Sequence, residues 1–151
     1  MDFPVHIPFV EALGFELVRI GDGEAELRLA LKELHFNSFR VAHGGVSMTL
    51  LDVAMAHAAR SINRDRADFG PGVVTIEMKT SFMRPGEGEL RAIGRLLHRT
   101  ATLAFCEGEI LGGDGERIAH ATGTFKYLRA LPSEKREVKP LQRRLDGSGS
   151  D

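Results

Sequence analysis

The chain has 151 residues, 42% of them hydrophobic and 27% charged, a balance that suits one soluble domain with a real core. A formal net charge of −1 offers no general attraction to nucleic acid or to a membrane surface. The single cysteine, Cys106, excludes an internal disulfide and a cysteine-rich zinc site, and fits an expected location in a reducing cytoplasm.

The opening stretch MDFPVHIPF lacks the basic region and long apolar core of a signal peptide. No apolar run reaches the length of a membrane span, because Asp52 interrupts the best candidate. Residues 4 to 14 carry Ile7, Val10, Ala12 and Leu13 ahead of Gly14 and predict a short helix. Residues 15 to 20 and 24 to 31 flank Gly21-Asp22-Gly23, a turn signal. In the second run Ala25, Leu27, Leu29 and Leu31 alternate with Glu24, Glu26, Arg28 and Ala30, the pattern of a half-buried strand.

The stretch from His35 to Arg60 organises the rest. It is polar and irregular up to His43-Gly44-Gly45, then apolar or small on almost every side apart from Asp52. Two glycines ahead of such a run predict a tight turn into a buried helix, whose first N–H groups lack intrahelical partners. That terminus is a ready place for an anion or a developing oxyanion. Asp52 shares a helical stripe with Met48, Met55, Ala56 and Ala59, where an ionised carboxylate is costly unless it is met by a partner. Either it is a packed Asp paired with Lys79 or a nearby Arg, or it is a catalytic carboxylate whose pKa desolvation raises.

After the helix, residues 61 to 71 are charged, end in Gly-Pro and predict a loop. From 72 to 84, Val74, Ile76, Met78 and Phe82 alternate with Thr75, Glu77, Lys79 and Ser81, so the two sets are expected on opposite faces of a strand. Pro85-Gly86-Glu87-Gly88 turns the chain. Three further strand-like runs follow at 89 to 98, 101 to 111 and 116 to 128, the last two joined by Gly112-Gly113-Asp114-Gly115. Residues 129 to 151 combine many charges with few large apolar side chains and predict a disordered tail, leaving 1 to 128 as the domain. An antiparallel sheet of about six strands with one apolar helix to cover it is an α+β architecture.

Competing chemistry finds little support. Ser47 lies in Gly-Val-Ser-Met-Thr, without the second glycine of a nucleophile elbow. The glycine-rich segments lack the further glycines of a phosphate loop, and the histidines show no metal-binding spacing. His57 is five residues from Asp52 and nearly opposite it on the helix, so it is expected at the core or the rim rather than in a dyad. Cys106 lies in a strand run and is expected to pack.

Asn37, His43-Gly44-Gly45 and Leu51-Asp52, followed by Val73 to Met78 and Ser81 to Pro85, resemble the signature of hot-dog-fold acyl-CoA thioesterases of the phenylacetate-pathway (PaaI-like) type. The resemblance runs over nearly all of residues 8 to 128. It implies a curved sheet wrapped around one long helix, and hydrolysis of an acyl-CoA thioester to a carboxylate and a free thiol. It also implies roles. Asn37 and the Gly44 N–H would polarise the thioester carbonyl, and His43 would brace the loop or touch the thioester. Asp52 would serve as general base or nucleophile, and Thr75 would orient the attacking water. Gly45, Arg84 and Arg99 are candidates for holding the CoA portion. Arg40 departs from the pattern, since relatives often have glycine at that loop position. No metal or further cofactor is implied, because CoA is part of the substrate. Gly44 and Asp52 lie roughly 12 Å apart along one helix, too far to meet at one carbonyl. A dimer, or a dimer of dimers, is therefore expected, with Asp52 reaching the other subunit's helix mouth. A hot-dog hydratase or dehydratase and a non-catalytic acyl-CoA sensor are the alternatives.

Overall fold

The computed structural model describes residues 1–63, 70 and 72–128. The tail expected from residue 129 onward, and most of the loop expected at 61 to 71, lie outside the described residues. In chain order the elements are α1 (Pro8–Ala12), β1 (Glu16–Gly21), β2 (Glu24–Ala30), a short 3-10 turn (Glu33–His35), α2 (Gly44–Arg60), β3 (Val73–Phe82), β4 (Glu89–Arg99), β5 (Leu103–Leu111) and β6 (Arg117–Tyr127).

The strands form one antiparallel sheet in the order β1-β2-β4-β5-β6-β3, and α2 packs against its concave face. This is the expected α+β hot-dog arrangement of a curved sheet around one helix. Asp22 at φ 52° and Gly23 at φ 79° make the left-handed turn that joins β1 to β2. Alternation then places Ala25, Leu27 and Leu29 against the helix, where each is at most 1% exposed. Leu50, Leu51, Ala54 and Met55 meet them from α2, with Leu90, Ile110 and Phe125 from the later strands. Each such large side chain contributes about 1.5–3 kcal/mol through burial.

Glycines let the helix lie this close. Gly94 on β4 pairs with Gly108 on β5. A Cβ on Gly94 would stand 2.4 Å from the carbonyl carbon and oxygen of Ala54, and one on Gly108 would stand 3.1 Å from Leu51 and Met55 side-chain atoms. The α2 backbone thus rests directly on the β4 backbone.

β3 corrects one expectation. Its pairing with β6 slips between Thr75 and Glu77. Such a bulge inserts an extra residue and shifts the alternation by one. Thr75 and Met78, expected on opposite faces, consequently both turn towards α2, while Glu77 faces outward and accepts from Thr124 Oγ1 at 2.8 Å. β3 is also an edge strand, with Val74 43%, Ile76 55% and Phe82 54% exposed.

Candidate active site

The polar loop before α2 is tied at several points. Asn37 Oδ1 accepts from the N–H groups of Phe39 and Val41 at 2.9 and 3.3 Å, which is asparagine's usual work in a turn. Its amide nitrogen donates to nothing among the described residues. Arg40 takes the left-handed conformation, φ 60°, that a glycine would adopt there. Arg40 holds it by lying over the Phe36 ring at 5.4 Å and pairing with Glu33 at 3.0 Å. The departure from glycine therefore leaves the turn closed around Asn37.

Sequence reasoning passed over His35, which fastens this loop from beneath. It is buried, its Nδ1 accepts the Lys32 N–H at 2.9 Å, and its Nε2 donates to the Leu13 carbonyl at 2.8 Å. Its own carbonyl accepts the His43 N–H at 2.8 Å. The signal available in the sequence was a histidine between Leu34 and Phe36, next to the candidate Asn37.

His43 caps α2. Its Nδ1 accepts the Gly45 N–H at 2.9 Å, and its carbonyl accepts from Val46 and Ser47. The Gly44 N–H meets no acceptor among the described residues and points the positive end of a 17-residue helix outward. Phe82 lies beside it, with ring atoms 3.5–3.6 Å from where a Gly44 Cβ would be. The arrangement leaves the Gly44 N–H as a free donor at the helix mouth. Gly45, a candidate for CoA contact, has its N–H committed to His43 instead.

Two turns further along, Asp52 is half-buried, and Oδ1 accepts a hydrogen bond from Thr75 Oγ1 at 2.7 Å. Of the two partners considered from sequence, neither Lys79 nor an arginine among the described residues meets it; the bulge in β3 supplies the Thr75 hydroxyl. Burial pushes the Asp52 pKa above the ordinary aspartate value, and the Thr75 hydrogen bond partly opposes this. A desolvated carboxylate with raised basicity, held by one hydroxyl, is suited to take a proton from water.

Asp52 and Thr75 sit at the side of a groove of about 430 Å³ between α1, α2 and β3. Ile7, Phe9, Met48, Val53, Ala56 and Met78 make its walls mostly apolar, so it suits an acyl chain rather than a phosphate. His57 lines it too. Its 140° offset from Asp52 on the helix places the two at opposite rims of one face, not on unrelated faces.

The two candidate cations are at opposite ends of the sheet. Arg84 follows β3 near the α2 N-terminus and pairs with Glu116 at 3.2 Å. Arg99 ends β4, lies over the Tyr127 ring at 5.0 Å, and belongs to the end where Tyr127 Oη donates to the Ala59 carbonyl. They are not brought together. Among the described residues no three His, Cys, Asp or Glu side chains gather where they could hold a metal ion. No helix among them is long and apolar enough to cross a membrane.

Comparison with known proteins agrees with this frame. A family model described as the thioesterase superfamily matches residues 39–119. The chain is 29% identical to the medium/long-chain acyl-CoA thioesterase YigI of Escherichia coli, over 82% of this chain and 87% of that one. A solved structure of a conserved protein from Pseudomonas aeruginosa superposes with a TM-score of 0.76 at 33% identity, covering 83% of this chain and 97% of that chain. The PaaI protein of the Escherichia coli phenylacetic acid degradation operon superposes with a TM-score of 0.72, covering 82% and 86%. At 22% identity this second likeness speaks for the fold alone.

Proposed function

The chain belongs to the thioesterase superfamily, and from that premise we propose that it hydrolyses an acyl-CoA thioester to a free carboxylic acid and CoA. The observation that carries the proposal is Asp52, a half-buried carboxylate of raised pKa in an apolar groove, with Thr75 Oγ1 at 2.7 Å. The acyl group enters the groove and its carbonyl oxygen accepts from the Gly44 N–H, with the α2 dipole behind it and the Asn37 amide beside it. Asp52 accepts a proton from water as the water oxygen attacks the carbonyl carbon. Collapse of the tetrahedral intermediate breaks the C–S bond, and the thiolate leaves and is protonated. Direct attack by Asp52, with water then cleaving the anhydride, gives the same products.

Eight residues of α2 separate Gly44 from Asp52, roughly 12 Å, so one chain does not place both at one carbonyl. A second copy related by a two-fold axis supplies the missing member: Gly44 and Asn37 from one subunit, Asp52 and Thr75 from its partner. The exposed apolar side chains of edge strand β3, which also carries Thr75, support such an interface. Arg84, close to the helix mouth, is the better placed of the two arginines for CoA phosphate. The reaction asks for no metal or redox group, since CoA arrives as part of the substrate.

The hydratase alternative needs a histidine and an acid converging on the acyl α and β carbons. Here the partner of Asp52 is a hydroxyl. A thiol-release assay over short, aromatic, medium and long acyl-CoAs tests the proposal. Turnover above background with at least one class is expected, and silence across the panel by folded protein would overturn it.

A further inference from the structure

The Gly44 N–H, the donor on which the hydrolysis above depends, is not equally open on all sides. Gly44 is half-buried, whereas His43 and Gly45 on either side of it are exposed. The cover comes from β3. Outside its chain neighbours and its own helix backbone, a Cβ on Gly44 would have only Phe82 Cζ and Cε1 within 4 Å, at 3.5 and 3.6 Å. Contact through these two atoms alone means that the ring meets Gly44 by its tip and not by its face.

Backbone hydrogen bonds fix the place of the ring. The N–H groups of Met83 and Arg84 both donate to the Ile118 carbonyl, at 2.8 and 3.1 Å, which holds the end of β3 to β6. Beyond the turn, the Gly86 carbonyl accepts the Ala42 N–H at 2.8 Å, two residues before Gly44. The end of β3 and the residues leading into α2 are thus tied together. Packing gives small reason for a phenyl group here. Phe82 is 54% exposed on an edge strand, so it supplies only part of the burial energy of a core ring.

We propose that Phe82 is a positioning residue that acts through the Gly44 N–H: its ring tip keeps water off that donor, so the thioester oxygen meets it in a less polar setting. This rests on the thioesterase reading above and adds a residue to its oxyanion site. A hydrogen bond to a charged oxygen strengthens as water is excluded, because charges interact inversely with the local dielectric. The neutral carbonyl of the bound thioester gains little from this. The oxyanion of the tetrahedral intermediate gains much, so the benefit falls on kcat and not on KM. The tip of the ring is also the positive edge of the aromatic quadrupole and does not repel the oxyanion.

The test compares Phe82→Ala with Phe82→Leu, which refills the place with apolar atoms, and with Phe82→Gln, which fills it with polar ones. The first readout needs no substrate. In ¹⁵N-labelled protein, Phe82→Ala and Phe82→Gln are expected to speed exchange of the Gly44 amide proton with water several-fold, and Phe82→Leu to leave it near wild type. The Val46 and Ser47 amides, which donate to the His43 carbonyl, are internal references and should not change.

The second readout is turnover of butanoyl-CoA and octanoyl-CoA. Phe82→Ala and Phe82→Gln are expected to lower kcat by about 10-fold, less than loss of an oxyanion donor itself, with KM little changed. Phe82→Leu is expected to recover most of the loss. The fall should be equal for the two thioesters, because the oxygen and not the acyl chain is what the ring serves. Should Phe82→Ala fail to fold, Phe82→Gln carries the same expectation. Unchanged Gly44 exchange in the folded variants overturns the proposal and leaves the thioesterase reading standing. So does an unchanged kcat, or a loss that grows with chain length and falls on KM, since Phe82 would then grip the acyl group. If the exchange responds but wild-type protein cleaves none of the panel of thioesters above, the shielded donor stands and the hydrolytic reading falls.

Discussion

Thr75 Oγ1 donates to Asp52 Oδ1 at 2.7 Å, across 23 residues of sequence and from an edge strand to the central helix. The hydroxyl favours the ionised carboxylate while burial opposes it. Thr75→Val keeps the strand-forming shape and removes only that donor. The Asp52 pKa is expected to rise further, and a general base must be ionised to work. The acidic limb of the kcat/KM profile should therefore move to higher pH, with the plateau at high pH less affected. A limb that stays in place separates Asp52 from the rate-controlling proton transfer.

Asp52→Ala is expected to lower kcat by a factor of about 10² to 10⁴ while leaving a folded protein. Near-normal turnover would remove Asp52 from the mechanism. Stability carries an independent signature. The folded-state pKa is raised, so between the unfolded value and the folded one the native state holds more protons than the unfolded chain. Wild-type stability therefore falls as pH rises through that window. Asp52→Ala lacks this fall, and near neutral pH its stability should equal or exceed wild type, as pH-dependent denaturant melts will report.

Gly44 separates activity from fold. A Cβ there would meet only Phe82 ring atoms at 3.5–3.6 Å, ordinary contact distances, and the backbone is not left-handed. Gly44→Val is expected to fold, with circular dichroism close to wild type, yet to lose most turnover because the branched side chain stands beside the free Gly44 N–H. Full activity in this variant would place the oxyanion donor elsewhere.

Gly94 is the opposite case. A Cβ would stand 2.4 Å from two backbone atoms of Ala54 and 2.7 Å from the Met55 nitrogen. Backbone cannot rotate aside, so α2 as a whole must lift. Gly94→Ala is expected to destabilise by about 3 kcal/mol or more, the upper part of the range for overpacking. Gly113→Ala, with nothing within 4 Å of its Cβ, serves as the control and should stay within about 0.5 kcal/mol of wild type. Thermal melts of the two variants decide it.

The shared site is tested by complementation. Asn37→Ala and Asp52→Ala proteins, each impaired alone, are unfolded and refolded together. Random pairing makes about half the dimers mixed, and each mixed dimer holds one intact site of two. Roughly a quarter of wild-type activity should return. If subunit exchange is confirmed and no activity returns, Asn37 and Asp52 do not act across an interface.

The sequence by itself determined the elements and the fold. Alternation in Ala25, Leu27 and Leu29, turn residues at 21 to 23 and 112 to 115, and a long apolar run after His43-Gly44-Gly45 are local signals set by backbone geometry. They survived because the sheet and helix obey the same periodicities. The candidate residues Asn37, Gly44 and Asp52 were legible as well, through an unusual carboxylate on an apolar stripe and a resemblance to known thioesterases. Tertiary structure alone decided how they relate. Thr75 reaches Asp52 because a bulge moves the β3 alternation by one residue, and a period-two pattern contains no mark of where it slips. His57 shares the Asp52 groove because α1 and β3 wall a face of α2 wide enough to include both, which helical angles in isolation do not reveal. Gly94 and Gly108 form the seat of the helix only once β4 and β5 pair in register, since a glycine in a strand carries no sign of what will press against it. Periodicity is a property of one segment; partners, burial and pKa are properties of two or more segments meeting, and these exist only in the folded chain.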